Sequence, residues 1–519
     1  MIPRPFSCPA LASTGGFDAL DWGVFAGYFA LLIGAGVWFA RRRVTSDRDY
    51  FLAGRTMPAW AVAVSLLGTA QSGATFIGGP QFSFASDYSY LITFAGGLLA
   101  AALVAAFFIP AYFRHGVWTP YELLERRFGR PARVAASVTY LVGRVFSNGS
   151  RVFIGSLAVS WVVFGDANAG HMFLAIGVLT IASILYALAG GIRSAIWIDA
   201  AQCAIYLGAA VVAIAYLLSV IPVGLPQVVA TLMDPGPDQA SKLTVVHTGL
   251  EWHSKYTVWT AATGFCLLFI AVYGIDQDFV QRTLTCRSAA QAGRSVMLGV
   301  LFQIPATLLF LAIGSLLWVY YQRPDLMGAA HRYNDDHTIF LEFILTRVPH
   351  GLAGLMIAGV FAAGLSTVNA MSSTFVNDGY KHLFPGRSER HYLSVGRRGV
   401  VAFGLLLGLF AAVCVFWYDP SDRTLLDFVL DVMSFAYAGL LGVFFTALFT
   451  RRGNSASAIA ALLSGFLVVT ILQPGVWTRL SGEPLGLAFP WQLVLGTMVA
   501  TAVCCAGNPR ASSPAEGAP

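Results

Sequence analysis

Charged side chains are scarce in this chain. Asp, Glu, Lys and Arg supply 11% of its 519 residues, where a soluble globular protein carries about 25%. Hydrophobic residues supply 57%. So little charge excludes a water-soluble globule and leaves an all-α polytopic membrane protein. Cysteine is also sparse: Cys8, Cys203, Cys266, Cys286, Cys414, Cys504 and Cys505 show no metal spacing, and most fall in or beside apolar runs. Neither a disulfide framework nor a zinc site follows. No Walker loop, zinc spacing or nucleophile triad is present, so no enzyme is expected. The nine histidines, among them His115, His253 and His337, fall mostly in loops or at span ends. The net charge of +6 does not point to nucleic acid, because the Lys and Arg residues gather at the ends of apolar runs. No obligatory protein partner is evident.

What is abundant is apolar length. About 20 mainly apolar residues cross a bilayer. Thirteen spans are expected, near 18–40, 59–84, 88–113, 134–162, 171–190, 195–219, 256–277, 294–321, 351–376, 398–418, 424–449, 455–473 and 486–506. They form one transmembrane domain, 18–506, with a short tail at 1–17 and a polar, Pro/Ser-rich, disordered tail at 507–519. The first residues lack the apolar core and cleavage site of a signal peptide. Arg41–Arg43, Arg126–Arg133, Arg193, Arg282–Arg294, Lys381–Arg398 and Arg451–Arg452 follow alternate spans. The positive-inside rule then puts the N-terminal tail outside and the C-terminal tail in the cytoplasm of a bacterial-type inner (plasma) membrane.

Two spans are interrupted. Residues 65–80 read SLLGTAQSGATFIGGP, and residues 363–373 read AGLSTVNAMSS. Lipid offers no partner to hydroxyls, amides or freed carbonyls, so such groups need a protein neighbour, a wet cavity or an ion. Two interrupted spans far apart suggest broken helices around a midplane site, and hence a cation-coupled transporter. Ala363, Ser366 and Thr367, at i, i+3 and i+4, put three oxygens on one helix face. Helical Ser and Thr also bond back to their own carbonyls. A Na⁺ site between this face and carbonyls of segment 68–75 is chemically reasonable.

Other polar residues carry two readings each. Asp199 either pairs with Arg193 at the span end or lies on a cytoplasmic cation exit path. Arg144 and Arg151 are seven residues apart in span four, with Asn148 on the same stripe. Each is a structural partner of a carboxylate elsewhere or an anchor for an anionic solute. Asp427 and Asp431 read as a solvated helix start rather than an acidic vestibule.

The motifs resemble the solute:sodium symporter family from about residue 49 to 450. They are DYFLAGR at 49–55, FIGGP at 76–80, TPYELLERRFG at 119–129, Gly190–Gly191 through Asp199 and Gln202, DQDFVQR at 276–282, and Leu365–Ser366–Thr367 through DGYK at 378–381. The resemblance implies a LeuT-type fold of two inverted five-helix repeats (about 59–219 and 256–449) and Na⁺-driven alternating access. It implies a Na⁺ site of carbonyls from Gly68, Gln71 and Ala363 with hydroxyls of Ser366 and Thr367. Asn369 and Ala370 stand where some members carry further hydroxyls for a second Na⁺, which favours one Na⁺ per solute. Ala74–Thr75 replaces the Glu-Gln of sugar carriers, and Ala70 the Asp of proline carriers. Ser72 and Thr75 are similar to hydroxyls of sialic-acid carriers. With an intramembrane Arg, this favours a carboxylate-bearing solute, monocarboxylate or sialic-acid-like. Candidate lining residues are Gln71, Ser72, Thr75, Asn148, Arg151, Tyr273 and Gln303; Tyr273 is an inner gate or packing.

The expected function is Na⁺-coupled uptake of a small organic solute. The alternatives are a sugar, amino-acid or vitamin symporter, a proton-coupled carrier with Asp199 as the titrating group, and a transporter-like sensor. A sensor would normally carry a signalling module, and none is seen.

Overall fold

The computed structural model describes residues 17–40, 52–188, 192–236, 239–333, 336–362, 368–418 and 424–508. The expected tails lie almost wholly outside the described residues. So do Ala363, Ser366 and Thr367, and nothing is described of the side chain of Asn369.

Backbone polar groups cannot go unpaired in hydrocarbon, so a spanning chain of this composition must form helices. Among the described residues the only bridge between extended segments is a single pair, Met57 with Cys286. The principal helices are α1 (Ala19–Ala40), the pair α2 (Ala59–Ala70) and α3 (Gly73–Ala85), and α4 (Ser89–His115). The short α5 (Tyr121–Phe128) leads into the long α6 (Arg130–Phe164), followed by α7 (Ala169–Leu188) and α8 (Ile192–Val220). Next come α9 (Val258–Ile275), the short α10 (Gln277–Thr283), α11 (Ala289–Gln322), α12 (Leu352–Ala362) and α13 (Val368–Thr374). The last are α14 (Glu389–Trp417), α15 (Leu425–Phe449), α16 (Ser455–Ile471) and α17 (Phe489–Cys505).

A helix stands at each of the thirteen expected spans. Among the described residues, by length and composition, six helices can cross a bilayer alone, or there are up to nine crossings if each sharply bent pair is one span. The largest boundary difference is at α14, which starts at Glu389 rather than 398. Ser388 caps it by accepting from the His391 N–H, and its first turns are polar. Caps also fix the starts of α11 (Ser288 accepting from Gln291), α15 (Thr424 from Asp427) and α16 (a reciprocal Asn454–Ser457 box).

The second expected span is bent by 67° between α2 and α3. Gln71 and Ser72 are extended there, with ψ 148° and 172°. The broken pair is enclosed by α6, α8, α11 and α15. Small residues permit the close approaches that lipid-embedded packing requires. A Cβ on Gly314 of α11 would fall 2.1 Å from the Pro80 carbonyl of α3, and one on Gly465 of α16 would fall 2.5 Å from Gly439 of α15. α12 meets the same core, because a Cβ on Gly359 would lie 2.8 Å from Ala209 of α8 and 3.0 Å from Phe76 of α3.

Candidate functional site

The helix break creates the site. The last turn of α2 exposes carbonyls with no intrahelical donor, and the first turn of α3 exposes N–H groups with no acceptor. The carbonyl end attracts a cation and the N–H end an anion. Gly68 sits in that last turn, close to α8: a Cβ there would meet the Asp199 carbonyl at 3.0 Å. Gln71 is buried, and its Oε1 accepts from the Tyr206 hydroxyl at 3.1 Å. Ser72 is buried at the bend, whereas Thr75 is the one partly exposed residue from Gln71 to Phe84.

Arg151 of α6 reaches this break. Its Nη1 donates to the Thr69 carbonyl at 3.2 Å, its Nε has no partner, and the residue remains partly exposed. No carboxylate pairs with it among the described residues. Its neighbour on the stripe, Asn148, is 4% exposed, and its Nδ2 has no partner. Tyr273 and Gln303 are joined by a hydrogen bond between the Gln303 amide and the Tyr273 hydroxyl, and Gln303 also donates to the Gly299 carbonyl at 3.2 Å. Gly299 faces Leu66 of α2, with a Cβ there 3.3 Å away. Tyr273 lies in a π-helical turn, Ala271–Ile275, that ends α9. Such turns bend a span and recur at functional sites. The structure therefore gathers Gln71, Ser72, Thr75 and Arg151 at the break, with Asn148 one turn from Arg151 along α6. Tyr273 and Gln303 form a separate pair alongside α2.

Arg144 meets two carboxylates, while its Nε, like that of Arg151, has no partner. Its Nη2 meets Asp276 at 2.8 Å and Asp278 at 2.9 Å. Its Nη1 makes a long contact of 3.4 Å to Asn148 Oδ1. Asp276 caps α10 through the Asp278 N–H and accepts from the Tyr437 hydroxyl at 2.7 Å. Asp278 also pairs with Arg282 one turn on. Arg282 continues to Asp199 at 3.1 Å and to Ser65 Oγ at 3.1 Å, and Ser65 donates to Asp199 at 2.7 Å. Asp199 is thus buried, with Arg282 and Ser65 as its partners; the side chain of Arg193 is not described.

The solvated-start reading of Asp427 is corrected. Asp427 is buried, paired with Lys255 at 2.9 Å and accepting from the Tyr256 hydroxyl at 2.6 Å. The loop before α9 folds back over the start of α15, a contact no local periodicity announces.

Sequence reasoning assigned no site role to Ser65, Tyr206, Asp276, Asp278, Arg282 or Tyr437, and Arg282, read as a topology charge after a span, is instead buried in this chain. A signal existed for three of them: Asp276, Asp278 and Arg282 follow directly on an apolar run, with 278 and 282 at the helical i, i+4 spacing.

The profile of the sodium:solute symporter family matches residues 50–465. The sodium/sialic acid symporter SiaT of Proteus mirabilis is 28% identical over 470 residues, which cover 88% of this chain and 90% of that one. The human sodium/iodide cotransporter is 28% identical, covering 86% of this chain and 69% of its own length. A solved Na⁺-coupled sialic acid symporter, substrate-bound and outward-open, superposes with a TM-score of 0.78 at 26% identity, over 94% of this chain and 97% of that one. The nucleobase-cation symporter Mhp1, in a closed conformation, shares the fold at a TM-score of 0.53 and 14% identity, over 89% of this chain and 94% of that one. The chain belongs to the sodium:solute symporter family: it is a multi-pass, Na⁺-coupled solute symporter of LeuT-type fold, a transporter rather than an enzyme.

Proposed function

We propose that the solute is a small organic molecule bearing a carboxylate, monocarboxylate or sialic-acid-like, and that Arg151 is its anchor. One observation carries the reading: Arg151 is an intramembrane guanidinium with no carboxylate partner among the described residues, held at the helix break by a single carbonyl. An intramembrane cation is costly without an anion nearby, and guanidinium matches a carboxylate in bidentate geometry. The N–H end of α3 adds a favourable dipole for the same group. Gln71, Ser72, Thr75 and Asn148 line the solute, with Tyr273 and Gln303 towards an inner gate. The sodium/sialic acid and monocarboxylate relatives, 28% and 26% identical, are consistent with that solute class.

In this reading Na⁺ sits against the carbonyl end of α2, on Gly68, Gln71 and Ala363 oxygens with the hydroxyls of Ser366 and Thr367. One Na⁺ moves per solute, and Asp199 flanks the exit path, since its backbone abuts Gly68. The N-terminus lies outside and the Arg-rich loops lie in the cytoplasm of a bacterial-type plasma membrane. Residues 18–506 form the carrier domain, with repeats at 59–219 and 256–449.

The test is uptake into proteoliposomes under an inward Na⁺ gradient, with N-acetylneuraminate, lactate, a neutral hexose and iodide as probes. Saturable, Na⁺-dependent uptake of a carboxylate that is lost in Arg151→Leu supports the reading. Transport of the hexose alone, or carboxylate transport indifferent to Arg151, overturns it. Transport of iodide alone would keep Arg151 as an anion site and remove the carboxylate.

A further inference from the structure

Arg144 and Arg151 stand at the two ends of a chain of polar contacts. From Arg151 it passes to the Thr69 carbonyl, and the Thr69 hydroxyl donates to the Ser65 carbonyl at 2.8 Å. Ser65 and Arg282 share Asp199, Arg282 shares Asp278 with Arg144, and Arg144 contacts Asn148, one turn from Arg151 on α6. The chain joins α2, α8, α10 and α6. Three ends in it are unused. They are the Nε of Arg144, the Nε of Arg151 and the Nδ2 of Asn148, all buried donors without partners.

A guanidinium can only donate, so Asn148 must offer Arg144 its oxygen. The amide NH₂ is then turned away from Arg144, and the orientation is fixed by the charge on Arg144 even across 3.4 Å. A buried NH₂ left unpaired is unfavourable, and a carboxylate bound at Arg151 would relieve it.

We propose that Arg144 is a positioning residue of the solute site: it holds the Asn148 amide by its oxygen, presents the NH₂ to the solute carboxylate, and ties that orientation to the Asp276–Asp278–Arg282–Asp199 chain at the foot of α2. The inference rests on the reading of Arg151 as a carboxylate anchor. It goes further by making a residue that touches no solute set the affinity for one.

The experiment measures the affinity of the purified full-length protein for N-acetylneuraminate and lactate, by solute-dependent melting temperature in Na⁺, in the unmodified protein and in Asn148→Asp, Asn148→Ala, Arg144→Lys and Arg144→Lys/Asn148→Ala. Asn148→Asp keeps an acceptor for Arg144 but opposes a carboxylate with a second negative charge. It is expected to weaken carboxylate binding by about tenfold or more, the equivalent of one lost hydrogen bond. Asn148→Ala is expected to lose about the same. Arg144→Lys keeps the charge opposite Asp276 and Asp278 but lacks the forked second nitrogen, and should lose a similar factor. The double variant should lose no more than Asn148→Ala alone, because both act through one amide.

A purely structural Arg144 predicts a lower melting temperature without solute, unchanged affinity in the folded fraction, and effects that multiply in the double variant; that result overturns the proposal. If Arg144→Lys does not fold, carboxylate affinity in Asn148→Asp and Asn148→Ala equal to the unmodified protein overturns it instead. Arg151→Leu separates the two levels. If it weakens binding and the Asn148 variants do not, only the positioning role fails. If neither it nor they weaken binding, or no carboxylate binds the unmodified protein, the anchor reading fails as well.

Discussion

Two arginines of α6, two turns apart on one stripe, have opposite surroundings. Arg144 is 1% exposed and paired with Asp276 and Asp278; Arg151 is partly exposed and rests on one carbonyl. The first belongs to a region where each charge faces an opposite one across α6, α8 and α10. The second belongs to a region where polar donors wait at a broken helix. A buried pair locks a geometry, and breaking it leaves an uncompensated charge. An unpaired intramembrane charge is a functional-site hypothesis by default.

The comparison breaks most sharply on stability. Arg144→Leu should destabilise the protein by about 3–5 kcal/mol, because Asp276 and Asp278 lose their shared partner. Arg151→Leu should stay within about 1 kcal/mol of the unmodified protein without solute, since no carboxylate is orphaned. Thermal unfolding of both variants in detergent checks this, and equal losses would erase the distinction. Next in size is solute binding: Arg151→Leu should weaken a carboxylate solute about 100-fold, or about 2.7 kcal/mol, seen as a lost solute-dependent melting shift. Ser366→Ala with Thr367→Ala should raise the Na⁺ concentration for half-maximal uptake about tenfold while solute affinity at saturating Na⁺ changes little. An unchanged Na⁺ dependence would remove those hydroxyls from the cation site.

The smallest expected effect tests a third region, where α1 meets α12. Asp21 accepts from the Gly351 and Gly354 N–H groups at 2.7 and 2.8 Å and from His350 Nδ1 at 2.7 Å. The hydrogen bond to Asp21 holds His350 above its ordinary value of 6.5. Because the folded value is raised, the stabilisation is complete below the unfolded value and is lost as pH rises through the folded one. His350→Gln should flatten the fall in melting temperature above about pH 6.5. A slope identical to the unmodified protein would show that the backbone N–H groups alone hold Asp21.

What the sequence made legible was whatever is local. Apolar length put a described helix at each expected span, and the Gly and hydroxyl run at 65–80 located the α2–α3 bend. The seven-residue spacing put Arg144 and Arg151 on one stripe, but only tertiary contact distinguishes them, because Asp278 lies 134 residues from Arg144 and Thr69 lies 82 residues from Arg151, each on another helix. Asp199 is the same case. Its neighbour in sequence is Arg193, while its described partner Arg282 stands 83 positions on. Asp427 looked like a wet helix start because its cover, Lys255 and Tyr256, comes from a distant loop. The π-helical turn around Tyr273 leaves no hydrophobic signature, since one extra residue in a turn is too slight a change against an all-apolar span.

The most direct test of the central claim is the melting temperature of the purified protein against a panel of carboxylate and neutral solutes, in Na⁺ and in K⁺, with Arg151→Leu alongside. A ligand that binds only the folded state raises stability with the logarithm of its saturation. The account predicts an upward shift with a carboxylate solute in Na⁺, little or none in K⁺, and none in Arg151→Leu. A shift from a neutral solute that persists in Arg151→Leu would contradict it.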